Sequence, residues 1–279
     1  MQRSLKCIVL AASGLISGTF AYKTRDFWDG MFVKIYAAAG SSSPEILRSG
    51  FSNDIRTWNK NWDFREPSVF RGLQGYGEEQ TKKPSANRHL VFVRHGEYDN
   101  AKKDKRLTDK GRQQAIKTGE RLKFFPQNTD INGKIDKIVI SSMTRAKETG
   151  ELIRKSLPDV PYEYCDFLTE GAPCIPEPPV WRADKQEIFQ DSARIESAFR
   201  KYVHRADVDQ SKETIEVYVC HANVIRYFVC RALQFPPEGW LRLSTGHCGL
   251  TWLTIKPNGN VILRTFGDVG HLPPNLTTR

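Results

Sequence analysis

Cysteine is sparse in this 279-residue chain and poorly spaced for cross-linking. Its six thiols, Cys7, Cys165, Cys174, Cys220, Cys230 and Cys248, form no C-x-x-C pair and no zinc-ligand spacing. A disulfide framework and a structural zinc site are therefore not expected. Free thiols in a reducing compartment are. No uncharged stretch reaches the roughly 20 residues that carry a helix across a bilayer. There is no internal repeat, no recognised nucleic-acid motif and no basic stripe interleaved with aromatics. Nucleic acid is thus not an expected partner, although 42 basic side chains outnumber 32 acidic ones and leave a formal charge of +10. That excess favours other anions, such as phosphoproteins or acidic lipid surfaces. The run Lys102-Lys103-Asp104-Lys105-Arg106 reads as a solvated loop, or as a rim that attracts such a substrate.

The chain length suits one large α/β domain with an appendage. The uncharged residues 7–22 lie between Lys6 and Lys23, with Arg3 before and Arg25 after. With the lysines snorkelling at both ends, a tight span becomes feasible. Basic residues before an apolar core also suit a secretory signal. No small-x-small cleavage site is clear, so an uncleaved membrane anchor over 1–24 is the expectation. Residues 25–88 read as a linker, rich in loop signals at Gly40-Ser41-Ser42-Ser43-Pro44 and Lys82-Lys83-Pro84-Ser85. Within it lies Trp58-Asn59-Lys60-Asn61-Trp62-Asp63. Two tryptophans in so polar a stretch either dock back on their own domain or anchor another chain.

From 89 to 279 strand and helix patterns alternate. Strands are expected at 89–93, 135–140, 215–220, 250–255 and 261–266, and helices at 109–122, 144–156, 184–205 and 222–233. Ile188, Ile195, Phe199 and Tyr202 share one face of the third helix. The alternation implies a three-layer α/β/α fold around a mostly parallel central sheet. Asn258-Gly259 marks the turn of a closing antiparallel hairpin.

Chemistry gathers at the ends of three strands. Val91-Phe92-Val93 runs into Arg94-His95-Gly96-Glu97, and Val217-Tyr218-Val219 runs into Cys220-His221-Ala222-Asn223. Val139-Ile140 leads to Ser141-Ser142-Met143-Thr144-Arg145-Ala146. Ligands of open α/β sheets bind beyond the carboxyl ends of the strands. Two imidazoles and at least two guanidiniums around one anion point to phosphate chemistry.

The ordered set adds Leu107-Thr108-x-x-Gly111-x-x-Gln114-Ala115 and Glu170-Gly171-Ala172-Pro173 to those three segments. It resembles the histidine phosphatase, or phosphoglycerate-mutase-like, superfamily from about residue 89 onward. The tryptophan segment and Arg231-Ala232-Leu233-Gln234-Phe235-Pro236-Pro237-Glu238-Gly239-Trp240 narrow the resemblance to its mitochondrial serine/threonine phosphatases. That branch implies a membrane-anchored enzyme, the outer mitochondrial membrane being the expected one. Phosphoserine and phosphothreonine proteins would be its substrates, a stress-responsive MAP kinase kinase kinase among them. It also implies a homo-oligomer, at least a dimer, assembled through Trp58, Asn61, Trp62 and Asp63. The branch usually has Asp-Pro where this chain has Asn59-Lys60, which bears on the strength of assembly.

The resemblance assigns each residue a role that its chemistry suits. His95 would be the nucleophile, attacking phosphorus to form a phosphohistidine. Arg94 and Arg145 would grip phosphate oxygens with planar forks. His221 would add a hydrogen bond or positive charge where negative charge develops. Glu170 would protonate the departing oxygen and then activate water. Glu163, Glu177 and Glu187 are nearby alternatives. No metal or other cofactor is expected, because cationic side chains neutralise the charge. His89, His204, His247 and His271 read as structural. Two rival functions remain. One is a phosphoglycerate mutase, although Tyr98-Asp99-Asn100 lacks the tryptophan-asparagine continuation of mutases. The other is a non-catalytic oligomeric scaffold at the mitochondrial membrane.

Overall fold

The strand that delivers His95 is buried on both faces, and the rest of the fold is arranged around it. The computed structural model describes residues 57–66, 82–129, 131, 133–180 and 184–279. The expected anchor over 1–24 lies outside these residues, as do 25–56 and 67–81 of the linker. Among the described residues no helix is long and apolar enough to cross a membrane.

Strands β1 (Arg88–Arg94), β2 (Ile135–Ser141), β3 (Tyr162–Cys165), β4 (Thr214–Cys220), β5 (Leu250–Ile255) and β6 (Val261–Asp268) alternate with four helices. These are α1 (Asp109–Lys123), α2 (Thr144–Arg154), α3 (Lys185–Tyr202) and α4 (Ala222–Ala232). Their order in the sheet is β3-β2-β4-β1-β5-β6. The first four are parallel, and β5 and β6 close the sheet antiparallel. The expected hairpin turn is present, with Gly259 at φ +83°, a left-handed conformation that glycine adopts without strain. Sequence reasoning missed β3. Its residues Tyr162, Glu163 and Tyr164 are exposed, so four residues at a sheet edge leave no apolar run to detect.

Alternation along the strands builds two cores. Leu90, Phe92 and Tyr218 pack with Ile195, Phe199 and Tyr202 of α3 and Phe228 of α4. Val91, Val93, Ile138, Ile140, Val217 and Val219 face the other way, against Leu122 of α1 and Ile153 of α2. This is the expected three-layer arrangement. Each such side chain contributes about 1.5–3 kcal/mol by leaving water.

The third helix ends at Tyr202 rather than 205, because Val203 turns extended and Arg205 is drawn into another contact. That contact is the tryptophan segment, which docks back on the α/β domain. The Trp62 indole donates to the Gly259 carbonyl at 2.7 Å and stacks obliquely on Phe199. Asp63 accepts from the Arg205 guanidinium at 2.8 Å and from its backbone N–H at 2.9 Å, with both side chains 1% exposed. Glu66 takes another edge of the same guanidinium at 2.9 Å. Removing one partner of a buried pair strands the other charge. Asp63→Ala should therefore cost about 3 kcal/mol and lower Tm by roughly 10 °C in a calorimetric melt. An unchanged Tm would refute the docking as a source of stability.

Candidate active site

Parallel pairing of β1 with β4 sets Arg94 opposite Cys220. The next residue on each strand is a histidine, and the two rings lie 5.1 Å apart between centroids. His95 is 2% exposed and His221 is fully buried. The His95 backbone N–H reaches the Cys220 carbonyl at 3.0 Å, so the turn after β1 is tied to the neighbouring strand.

Hydrogen bonds assign the His95 tautomer. Nδ1 lies 2.9 Å from the Gly96 carbonyl, which only accepts, so Nδ1 carries the proton. Nε2 then holds the lone pair, and the Arg145 Nε–H donates to it at 3.1 Å. Burial, followed by His221 and Arg145, holds the His95 pKa well below the ordinary value and keeps the ring neutral. His221 is kept neutral in the same way, by burial and then Arg145. Ser141 Oγ, which accepts weakly from the Met143 N–H, sits 2.8 Å from His221 Nε2. The Ser141 hydroxyl can donate to that nitrogen or accept from it, and where it donates the His221 proton lies on Nδ1. That atom is buried and has no hydrogen-bond partner among the described residues.

The motif around α1 builds the floor. Thr108 caps the helix by accepting from the Gly111 N–H, and its hydroxyl also donates to the Glu97 carboxylate at 2.8 Å. Glu97 is thereby engaged by Thr108. A Cβ at Gly111 would stand 1.9 Å from the Glu97 carbonyl oxygen, and one at Gly96 would stand 2.6 Å from the Gly111 carbonyl oxygen. Backbone crosses backbone here, which explains the glycines. Gln114 accepts from the Glu97 N–H at 2.8 Å, and Thr149 of α2 accepts from the Gly96 N–H at 3.0 Å.

Two guanidiniums, those of Arg94 and Arg145, act on the imidazoles, and a third, that of Arg226, interacts with Arg94 and Glu170. Arg94 donates to the Thr245 carbonyl at 2.6 Å and to His247 Nε2 at 3.1 Å. Arg145, 5% exposed, bonds His95 and lies over the Tyr98 ring, 4.8 Å from its centroid. Arg226 of α4 donates to the Asn223 side-chain oxygen at 3.2 Å. Their hydrogen bonds thus go to a carbonyl, two imidazoles and an amide oxygen, with no carboxylate among them. Burial lowers the pKa of all three. Clustered, desolvated and like-charged cations of this kind attract an anion.

One carboxyl faces them. Desolvation raises the Glu170 pKa to about 7, against the downward pull of Arg145, the Gly171 N–H and Arg94. Its segment is held by Arg194 of α3, which donates to the carbonyls of Phe167, Thr169 and Glu170. Asp191 accepts from the Ala172 N–H, and Asn223 donates to the Gly171 carbonyl. The alternatives lie elsewhere. Glu163 sits exposed on β3 beside the Tyr202 hydroxyl, Glu187 is exposed in the first turn of α3, and Glu177 is exposed in the connecting loop.

The structure therefore gathers Arg94, His95, Arg145, Glu170 and His221, and adds residues that sequence reasoning left out. Arg226 was given no role in the sequence, and no spacing or motif there marks it as part of the site. His247, expected to be structural, has its ring 5.7 Å from that of His95. Nothing around it in the sequence marks it. Among the described residues no group of three or more His, Cys, Asp or Glu side chains could hold a metal ion.

A buried imidazole offering Nε2 into a cluster of guanidiniums, at the carboxyl edge of a parallel sheet, characterises one class of phosphate-handling enzyme. The chain belongs to the histidine phosphatase superfamily (branch 1), whose family model matches residues 90–173 and 176–267. Over 98% of its length it is 42% identical to the rat (Rattus norvegicus) protein named serine/threonine-protein phosphatase PGAM5, mitochondrial, of which it covers 98%. The Homo sapiens protein of that name is also 42% identical, with 98% of each chain covered. Among solved structures, an open-reading-frame product of Mycobacterium tuberculosis matches with a TM-score of 0.50 at 20% identity. That match spans 66% of this chain and 99% of the other, and is a likeness of fold.

The raised Glu170 pKa is open to measurement. Carbon-detected NMR of its carboxyl should give a midpoint near 7. In Arg145→Met the midpoint should rise, because the positive charge that favours the carboxylate is gone. A fall would contradict the arrangement.

Proposed function

We propose that this chain is a mitochondrial serine/threonine protein phosphatase that works through a phosphohistidine on His95. The observation that carries the reading is the His95 tautomer, with Nδ1–H fixed by Gly96 and Nε2 directed at Arg145. The names of the relatives agree in compartment and substrate class.

In the proposed reaction, phosphate oxygens displace the Arg145 contact and take Arg94, Arg145 and the His221 Nδ1–H as donors. Arg226 supplies further positive charge. Nε2 of His95 attacks phosphorus in line, and the bond to the serine or threonine oxygen breaks. That oxygen takes its proton from the Glu170 carboxylic acid. Glu170, now a carboxylate, accepts a proton from a water that attacks the phosphohistidine. The P–N bond breaks, and phosphate and neutral His95 are released. A carboxyl that titrates near neutrality can serve in both steps.

Around this centre we infer the finer organisation that the branch implies. It comprises a single-pass anchor over 1–24 in the outer mitochondrial membrane, a linker over 25–88 and a catalytic domain over 89–279. A stress-responsive MAP kinase kinase kinase is a proposed substrate. A homo-oligomer is proposed to form by exchange of segment 58–63, so that Trp62 and Asp63 fill the Arg205 site of a second copy. The Trp58 indole N–H, which has no hydrogen-bond partner among the described residues, supports a further contact there. Light scattering should give a multiple of the chain mass that falls when Trp58 and Trp62 are both changed to alanine. A monomeric parent protein would end the assembly proposal.

Purified protein should release phosphate from a phosphothreonine peptide, and His95→Ala should release none. Values of kcat/KM should decline as pH rises through about 7, because Glu170 loses the proton it must donate. Glu170→Gln should be slower by roughly 10²–10⁴-fold and should lack that decline. Turnover by His95→Ala equal to the parent would sink the nucleophile assignment.

A further inference from the structure

Segment 272–278 runs back beneath the site and touches both sides of it. Gln114 spans the gap on one side. Its Oε1 accepts from the Glu97 N–H, two residues after His95, and its Nε2 donates to the Leu276 carbonyl at 2.7 Å and to Thr278 Oγ1 at 2.8 Å. His247 spans the other side. Its backbone N–H donates to the Thr278 carbonyl at 3.0 Å, and its Nδ1 lies 2.9 Å from Thr278 Oγ1. Its Nε2 faces the Arg94 guanidinium, a pure donor, at 3.1 Å. Nε2 must therefore be the acceptor, so Nδ1 carries the proton and the Thr278 hydroxyl receives it. A hydroxyl has two acceptor sites, and here Gln114 and His247 occupy both.

The consequence reaches Arg94. One terminal nitrogen is held by the Thr245 carbonyl and the other by His247, while Nε is buried without a hydrogen-bond partner among the described residues. Two fixed bonds determine where the fork lies, and its charge acts on both His95 and His221. Burial, reinforced by Arg94 and Arg145, pushes the His247 pKa down to about 3 and so keeps its acceptor nitrogen available.

We propose that Thr278 and His247 are positioning residues of the phosphate site, the threonine hydroxyl fixing the His247 tautomer and His247 fixing Arg94. The proposal rests on the phosphatase reading for its meaning, but its geometry concerns phosphate binding and can be tested without turnover. Neither residue touches substrate. Both act through Arg94, as supporting partners act through the groups they orient.

The experiment measures the affinity of the full chain for inorganic phosphate by calorimetry, alongside KM and kcat for a phosphothreonine peptide. Thr278→Val keeps the shape but removes both acceptor sites, so Kd for phosphate and KM should rise by roughly tenfold while kcat changes less. Thr278→Ser keeps the hydroxyl and should restore both constants. His247→Phe should raise Kd as Thr278→Val does, and the double variant should be no weaker than the single ones, because they share one path. Melting curves accompany each variant. If Thr278→Val unfolds, His247→Phe against Thr278→Ser carries the comparison alone. Phosphate affinity in His247→Phe equal to that of the parent overturns the proposal, as does failure of Thr278→Ser to restore binding. A parent protein that binds phosphate yet cleaves no phosphopeptide would instead defeat the catalytic reading and leave this one standing.

Discussion

The register between β1 and β4 is the constraint on which the site depends. Both strands are buried on both faces, so each apolar side chain is committed to one of two cores. A slip of one residue would exchange Leu90 and Phe92 with Val91 and Val93 and disrupt both cores at once. Packing energy therefore fixes Arg94 opposite Cys220, and the residues that follow are two histidines side by side. Neither imidazole has to be placed by a loop. The geometry of the histidine pair is inherited from hydrophobic burial several residues away.

Electrostatics follows from that placement. Rings buried at the edge of a sheet and faced by guanidiniums cannot hold protons readily, so His95 and His221 are neutral. The same burial desolvates Arg94, Arg145 and Arg226, whose charges no carboxylate hydrogen bond offsets. Like charges held together out of water in this way favour the approach of an anion. Glu170 is the exception that makes a cycle feasible. Desolvation lifts its pKa and three nearby cations lower it, and the balance falls near neutrality. A carboxyl more exposed would be ionised before it could donate. One more deeply isolated from the arginines would hold its proton too tightly to act as a base.

What could be read from sequence divides along this physical line. Strands β1, β2, β4 and β5 were legible because burial on both faces writes a continuous apolar run. The residues just beyond them were legible because a strand end and a following small residue mark a turn. Gly111 and Gln114 were legible as a pattern, though their reasons, a backbone crossing and a bond to the Glu97 N–H, needed coordinates. His247, Thr278, Arg194 and Asp191 were not. Each works through long-range hydrogen bonds, to partners 19 to 164 residues away, which leave no local periodicity. The tryptophan segment was legible as unusual, with docking on its own domain one of two open readings; its partner was not legible, because Arg205 lies 142 positions along the chain in a stretch that reads as helix end.

The docked segment also resolves what its departures mean. Where the branch usually has Asp-Pro, this chain has Asn59 and Lys60. Asn59 keeps the local function of an aspartate, since its side-chain oxygen accepts from the Asn61 N–H at 2.9 Å. Its backbone exchanges two bonds with the Gln234 amide, which any residue could make. Lys60 contributes its carbonyl to Arg205, a group that proline also possesses. The contacts that fix the segment thus come from backbone atoms and from the retained Trp62 and Asp63. The lost proline removes rigidity from the free segment, so the ordering cost of docking rises. Neither the Asn59 nor the Lys60 side chain supplies a contact to Arg205, whose bonds in this segment go to the Asp63 carboxylate and the Lys60 carbonyl.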